Sequence, residues 1–223
     1  MEQFRITKGS RFTCSLRGNY RLKVENVKMK GSWKEVLNDC RFTVGKPPLD
    51  KEPSDKFKED IMIAEHTPIR DIEWKFDIKN LGACYITHLV RHMWTPFVKT
   101  QRTDRTGVDR HKLPQDEPND MRGSANNQHL IDTSRKRLCY KSSKETRESW
   151  EQLKLKIHEI DKFTADCMVP NCVYRCGCPE PKDGDNYCRM CEKWLPFTKV
   201  DLTDIKTRYR IYNDWFYKNH EVK

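Results

Sequence analysis

Thr87-His88-Leu89-Val90-Arg91-His92, followed by Thr100-Gln101-Arg102, is the stretch on which the reading of this chain turns. With Glu65-His66-Thr67-Pro68 upstream, it sets Arg and His residues densely beside apolar ones. That composition suits a phosphorylated or otherwise anionic ligand, because guanidinium and imidazole groups form charge-assisted hydrogen bonds to anionic oxygens. The local pattern reads as a nucleotide site. Just before it, Ile72-Glu73-Trp74-Lys75-Phe76-Asp77-Ile78 alternates like a strand. Asn80 is placed to cap a helix with Leu81, Tyr85, His88 and His92 on one face, so the motif falls at the C-terminal end of that helix.

Outward from this stretch, the pattern predicts an α+β protein with a mixed or antiparallel sheet packed with helices. Residues 1–60 read as an N-terminal, strand-rich part of the main domain, with Phe12-Thr13-Cys14-Ser15-Leu16 and Tyr20-Arg21-Leu22-Lys23-Val24 as strands and Gly45-Lys46-Pro47-Pro48 as a closing loop. Residues 61–166 read as the ligand-binding core. Within it, Asp104 to Arg122 is polar and rich in Pro, Asp and Arg, and reads as a loop. Helices are predicted over Asn127–Tyr140 and from Ser142, which has capping-box spacing to Glu145, to Phe163. Residues 167–223 form a Cys-rich segment and a final amphipathic helix over Asp201–Asn219, with Leu202, Ile205, Tyr209, Tyr212 and Phe216 at helical spacing.

The chain has 223 residues, enough to bury a real core, and Lys plus Arg exceed Asp plus Glu by 43 to 33. Such an excess favours phosphate-bearing partners, although at 34% charged many of these groups simply cover a solvated surface. No apolar run approaches the roughly 20 residues of a membrane-spanning helix, and Met1-Glu2-Gln3-Phe4-Arg5 lacks a signal-like apolar core, so a cytoplasmic location is expected. Cysteines are then reduced thiols or metal ligands.

Two motifs are discounted. His88 and His92 have zincin spacing, but Leu89 stands where a metalloprotease carries Glu. The glycines are scattered singly, so neither a P-loop nor a dinucleotide fingerprint is present, and a nucleotide must be held by side chains.

The spacing of the remaining residues resembles the flavin-dependent thymidylate synthases, in particular their shorter, divergent phage-type members. His66 precedes Arg91-His92-Met93, and Thr100-Gln101-Arg102 follows, in the places of the family's His, Arg-His-Arg and Ser-x-Arg. Arg110 before Leu113-Pro114, Asn126 and Arg137 fall where the family has a uracil-nucleotide Arg, a flavin-contacting Asn and a second nucleotide Arg. Lys144-Glu145-Thr146-Arg147 resembles its Glu-Ile-Arg helix, and the likeness runs from about His66 to Glu180. The chain departs from the pattern at Met93, Thr100, Thr103, His88 and Gln128, and its spacer is one residue shorter.

The resemblance implies an enzyme that holds FAD, reduces it with NADPH and transfers a one-carbon unit from methylenetetrahydrofolate to carbon 5 of dUMP. Under that implication Arg91, Thr100, Arg102, Arg110 and Arg137 hold dUMP. His66, Arg91, His92, Asn126, Gln128 and Asp132 contact FAD, and Arg137 and His66 serve the chemistry. The family's tetramers, with sites shared between subunits, make a homo-oligomer the expectation. Taken alone, Arg91 and His92 could equally meet carbonyls at a helix end, and Arg147 reads as a solvated helix charge. Cys172, Cys176, Cys178, Cys188 and Cys191 have the crowding of a structural zinc site, with Cys172, one of Cys176 and Cys178, Cys188 and Cys191 as ligands; Cys14, Cys40, Cys84 and Cys139 read as core residues. The alternatives are a related pyrimidine-nucleotide hydroxymethylase, or a non-catalytic, zinc-stabilised nucleic-acid-binding protein using Tyr209, Tyr212, Trp215, Phe216 and Tyr217.

Overall fold

The computed structural model describes residues 21–180, 188, 190–194 and 202–220. The strand predicted at Phe12–Leu16 lies outside them. Four strands, β1 (Lys23–Lys30), β2 (Glu73–Gly82), β3 (Thr95–Val98) and β4 (Pro118–Asn126), form one antiparallel sheet in the order β1-β2-β4-β3. Alternation decides its faces: Trp74, Phe76 and Ile78 of β2 and Met121 and Ala125 of β4 are buried, while Glu73, Lys75 and Arg122 are exposed. Bulges in β1 and β2 fall where Asn26 and Asn80 take left-handed backbone angles, which Asn tolerates better than most residues. Asn80 is therefore a strand residue rather than a helix cap; its N–H donates to Asp120 Oδ1 at 3.2 Å.

Ten helices are described. α1 (Trp33–Thr43) and most of α2 (Asp55–Ile63) lie in the region read as strand-rich, and each begins at a serine, Ser32 and Ser54, whose hydroxyl accepts from the backbone N–H three residues on. α3 (Ala83–Leu89) is shorter than predicted and ends before His92. The predicted loop holds α4 (Thr103–Thr106) and the start of β4. α5 (Asn127–Arg137) and α6 (Lys144–His158) follow; Ser143 rather than Ser142 precedes α6. The predicted second helix breaks at Asp161, which caps the separate α7 (Lys162–Cys167) and accepts from the Trp33 indole at 3.2 Å. α8 (Asn171–Tyr174), α9 (Met190–Trp194) and α10 (Ile205–His220) complete the chain.

α6 lies across the buried face of the sheet, with Trp150, Leu153 and Ile157 covered. Trp150 packs edge-on to Phe76 at 6.0 Å, and Trp94 joins them at 5.5 Å from Phe76. Gly123 leaves room for those rings, since a Cβ there would collide with both Phe76 and Trp94. Each such side chain, fully buried, contributes about 1.5–3 kcal/mol. On the far side of α6, the buried Lys154 ammonium donates to Ala165 O (2.8 Å), Met168 O (2.9 Å) and Asn213 Oδ1 (2.6 Å), beneath the rings of Tyr212 and Phe216. Burial brings its pKa down to about 7. Tyr209, Tyr212 and Phe216 of α10 are thus core residues, which removes three aromatics from any nucleic-acid stacking platform. Among the described residues no helix is long and apolar enough to cross a membrane.

Candidate functional site

The turn that follows α3 reaches the last residue of α5, and residues 45 positions apart share one hydrogen bond: Arg137 Nε donates to His92 Nε2 at 2.7 Å. An accepting Nε2 carries no proton, so His92 is neutral with its proton on Nδ1. Burial, then the charges of Arg137 and Lys136, brings His92 down to about 4 against the opposing pull of Asp132. Arg137 is itself lowered by burial and by Arg91. His88 joins the group, its Nδ1 3.3 Å from the hydroxyls of both Ser143 and Thr146, and its pKa falls through burial and through Arg137 and Arg91. Three cationic or imidazole groups thus surround one half-buried guanidinium. Met93, next to His92 in the chain, is 82% exposed.

Arg102 and Arg110 stand elsewhere, on the walls of a cleft of about 370 Å³ shared with Gln101, Leu113 and Pro114. The geometry there is set by short-range turns. Thr100 Oγ1 accepts from Arg102 N at 3.2 Å, Thr103 Oγ1 accepts from Arg110 N at 3.2 Å, and Asp109 accepts from His111 N at 3.1 Å. Arg102 is held by both oxygens of Asp104, at 3.0 and 2.9 Å, in an exposed pair. None of His88, Arg91, His92 and Arg137 lines this cleft.

α5 presents the predicted flavin contacts. Asn126 is its N-cap, with Oδ1 accepting from His129 N at 2.9 Å. Gln128 donates to Glu65 at 2.7 Å and lies 3.4 Å from Asp132, and Asp132 accepts from Arg135 at 2.9 Å. Glu65 also binds Arg135, whose guanidinium covers the Tyr174 ring at 3.7 Å. Glu65 has a left-handed backbone, and the next residue, the exposed His66, opens a short helical turn with Pro68 in its first turn. The Glu65, Gln128 and Arg135 network therefore fixes where His66 stands relative to α5. Sequence reasoning singled out the stretch beginning at Glu65 without giving Glu65 a role, and missed Arg135; the Asp132–Arg135 spacing of one helical turn was the available signal. Arg147 is not solvated as predicted: it is 14% exposed, over the Tyr140 ring at 4.1 Å and 3.3 Å from Glu151.

The cysteines divide differently from the prediction. Cys139, read as core, lines a cavity of about 400 Å³ with Cys172, Cys178, Cys188, Cys191, Trp194 and Arg137 itself. Cys176 is turned away, its Sγ 3.3 Å from Leu202 O. Burial raises the Cys172 thiol, as do the neighbouring Cys191, Cys139 and Cys178. Among the described residues no group of three or more His, Cys, Asp or Glu is spaced to hold a metal. A larger cavity, about 720 Å³ between α2, α7 and α10, has lining of mixed charge and includes none of the predicted ligand residues.

No protein-family profile matches the chain, and no curated protein sequence does. Solved structures do. The UMP/dUMP methylase PolB from Streptomyces cacaoi, bound with 5-Br dUMP, matches with a TM-score of 0.53 at 13% identity over 66% of this chain and 94% of that one. Thymidylate synthase X from Helicobacter pylori, with FAD and dUMP, matches with a TM-score of 0.51 at 15% identity over 67% of this chain and 99% of that one. The likeness is one of fold. It spans nearly the whole of each neighbour, and it makes this chain an α+β protein of that architecture.

Proposed function

We propose that this chain is an enzyme of the flavin-dependent thymidylate synthase type, carrying a one-carbon unit to carbon 5 of dUMP. The observation that carries the reading is the hydrogen bond from Arg137 to a neutral His92, in a chain whose fold matches proteins solved with dUMP and with FAD. A guanidinium held at Nε still presents its two terminal nitrogens, the fork that suits a uracil carbonyl or an anion. Because the site is half-buried and the geometry already set, little reorganisation is needed when negative charge develops on the ring oxygen. Arg102 and Arg110 fit a phosphate across their shared cleft, with Thr100 shaping the turn that carries Arg102.

The residues present fit a flavin. His66 and Arg91 are exposed, and the Asn126 cap uses only the side-chain oxygen, leaving its amide N–H groups to donate. Bound there, FAD would supply the reducing chemistry, with NADPH as reductant and methylenetetrahydrofolate as one-carbon donor. The protein's residues bind, orient and polarise. Gln128 and Asp132 serve indirectly, through the network that sets His66 and α5. A homo-oligomer in which subunits complete one another's sites accounts for the separation of the Arg102 cleft from the Arg137 group.

The test is the visible spectrum of the purified protein with FAD, before and after dUMP. A bound-flavin spectrum that dUMP perturbs supports one shared site; a protein that takes up no flavin, with or without dUMP, overturns the reading. Mass analysis of the product nucleotide then separates dTMP from a hydroxymethylated pyrimidine.

A further inference from the structure

The two faces of the sheet differ in what lies on them. α6 covers one, and the other carries Lys28 of β1, Lys75 of β2, Arg122 of β4 and Phe97 of β3, all exposed. Register brings them together: Lys28 stands directly opposite Lys75, and Arg122 is opposite both Asp77 and Phe97. Residues paired in this way share a face. Between β2, β4 and β3 this face sinks into an open trough of about 570 Å³, lined among the described residues only by those three strands and by Lys99. Lys99 follows β3 and extends its pairing, donating its N–H to Asp120 O at 2.9 Å.

The acids of this face already have partners. Asp77 accepts from Arg122 at 2.6 and 2.9 Å, Asp120 lies 3.5 Å from Lys79, Glu25 lies 2.7 Å from Lys23, and Glu73 is opposite Lys30. Lys28 and Lys75 are placed differently: neither has an ion-pair partner among the described residues, and each faces the other. Like charges directly opposite one another destabilise a sheet, so folding does not account for the pair. Phe97 is 58% exposed. A single exposed ring is ordinary on a protein surface, but one set in a trough beside uncompensated cations offers a base a surface to stack on.

We propose that this face binds single-stranded nucleic acid, with a base stacked on Phe97 and phosphates held by Lys28, Lys75 and Lys99. From β1 to β3 the sheet is about 14 Å wide at the usual strand spacing, room for two or three nucleotides. The bound phosphates relieve the repulsion between Lys28 and Lys75, and their counterions are released. A duplex keeps its bases stacked on one another and gives Phe97 nothing to hold. A second copy of the chain, docked here about a two-fold axis, would set lysines against lysines, so the charge selects a polyanion.

The experiment is fluorescence anisotropy of a labelled oligothymidylate of about fifteen nucleotides titrated with the full chain. Three phosphate contacts should weaken binding about 20-fold between about 50 and 200 mM salt, and Lys28→Ala combined with Lys75→Ala should reduce that factor to about 3. Phe97→Ala should weaken binding about 10-fold or more with the salt dependence unchanged, and a duplex of the same length should bind about as weakly to wild type as the oligothymidylate does to Phe97→Ala. The lysine variant should melt no lower than wild type, because it loses a repulsion; that separates lost binding from lost folding. None of these residues belongs to the site proposed for dUMP and flavin, so the result is independent of that reading. Absence of binding up to about 100 μM protein at the lower salt overturns the proposal. So does binding that neither the lysine nor the Phe97 variant weakens, which puts the nucleic acid elsewhere on this basic chain. Phosphatidylserine vesicles bound in place of the oligonucleotide, or self-association that Phe97→Ala abolishes in a chain that binds no oligonucleotide, would give the face to a lipid surface or to a second copy instead.

Discussion

Arg137 and Arg102 are cations of one kind placed in two very different settings. Arg137 ends an 11-residue helix, is half-buried, and has its Nε fixed by a neutral imidazole brought from a distant part of the chain. Arg102 rides on a turn, is 64% exposed and is held by Asp104 two residues away. The first is preorganised by tertiary packing; the second is set by its own neighbours and must exchange a carboxylate for its ligand. Exposed ion pairs of that sort contribute about 0–1 kcal/mol, so the exchange is easy. The contrast fits a division in which the buried group serves the reacting ring and the exposed group captures the phosphate.

The sharpest way to break this division is Arg137→Ala. Loss of a preorganised donor to developing negative charge should lower kcat about 10²–10³-fold while flavin binding persists, as read by steady-state kinetics beside a flavin titration. An equal loss of flavin would place Arg137 in the cofactor site instead.

Next comes the pH dependence of the His92 contact. His92 is about 4 when folded and 6.5 otherwise, so the unfolded chain takes up the proton first as pH falls. Its stabilising contribution is complete above pH 6.5 and disappears toward pH 4. His88 and His129 shift the same way, so the readout is the difference between wild type and His92→Gln in urea unfolding across that window. Gln can still accept from Arg137 and does not titrate. Identical pH profiles would remove His92 as the source.

Arg110→Ala should raise KM for dUMP about 10–100-fold with kcat little changed, the signature of a lost charge-assisted contact made equally in ground and transition states. A drop in kcat alone would argue against a phosphate-capture role for the exposed cleft.

The smallest effect is expected at the α5 cap. Asn126→Ala should lower stability by about 1 kcal/mol. Asn126→Asp keeps the accepting oxygen and should keep that stability, while removing the amide donors offered to flavin. Thermal melts and flavin titration of the two variants separate capping from cofactor binding.

One strand of the sheet was legible along the chain, while β3 was not foreseen and the start of β4 lay in a segment that reads as a loop. The period-2 alternation of Trp74, Phe76 and Ile78 marks β2 because only one face of that strand is covered. Helices α5, α6 and α10 likewise follow their apolar spacing to within a few residues. Failures came where local signals competed. Ser32, whose hydroxyl accepts from Glu35 N and donates to the Glu35 carboxylate, is a helix cap with capping-box spacing that the strand-rich reading passed over, and Asp161 broke a helix that apolar spacing alone would continue. Asn80 reads equally well as a helix cap or as a left-handed bulge residue, and pairing with β1 and β4 chose the second.

By itself the sequence determined which residue types could meet an anionic nucleotide, the turns that place Arg102 and Arg110, and the apolar faces of the main elements. These depend on interactions within a few residues, and composition and spacing record them. The tertiary structure alone decided that Arg137 meets His92, that Glu65 locks the His66 turn to α5, and that Cys139 joins the thiol wall while Cys176 leaves it. Each of these joins segments far apart in the chain, and such partners are fixed only when the sheet and its covering helices bury their shared faces.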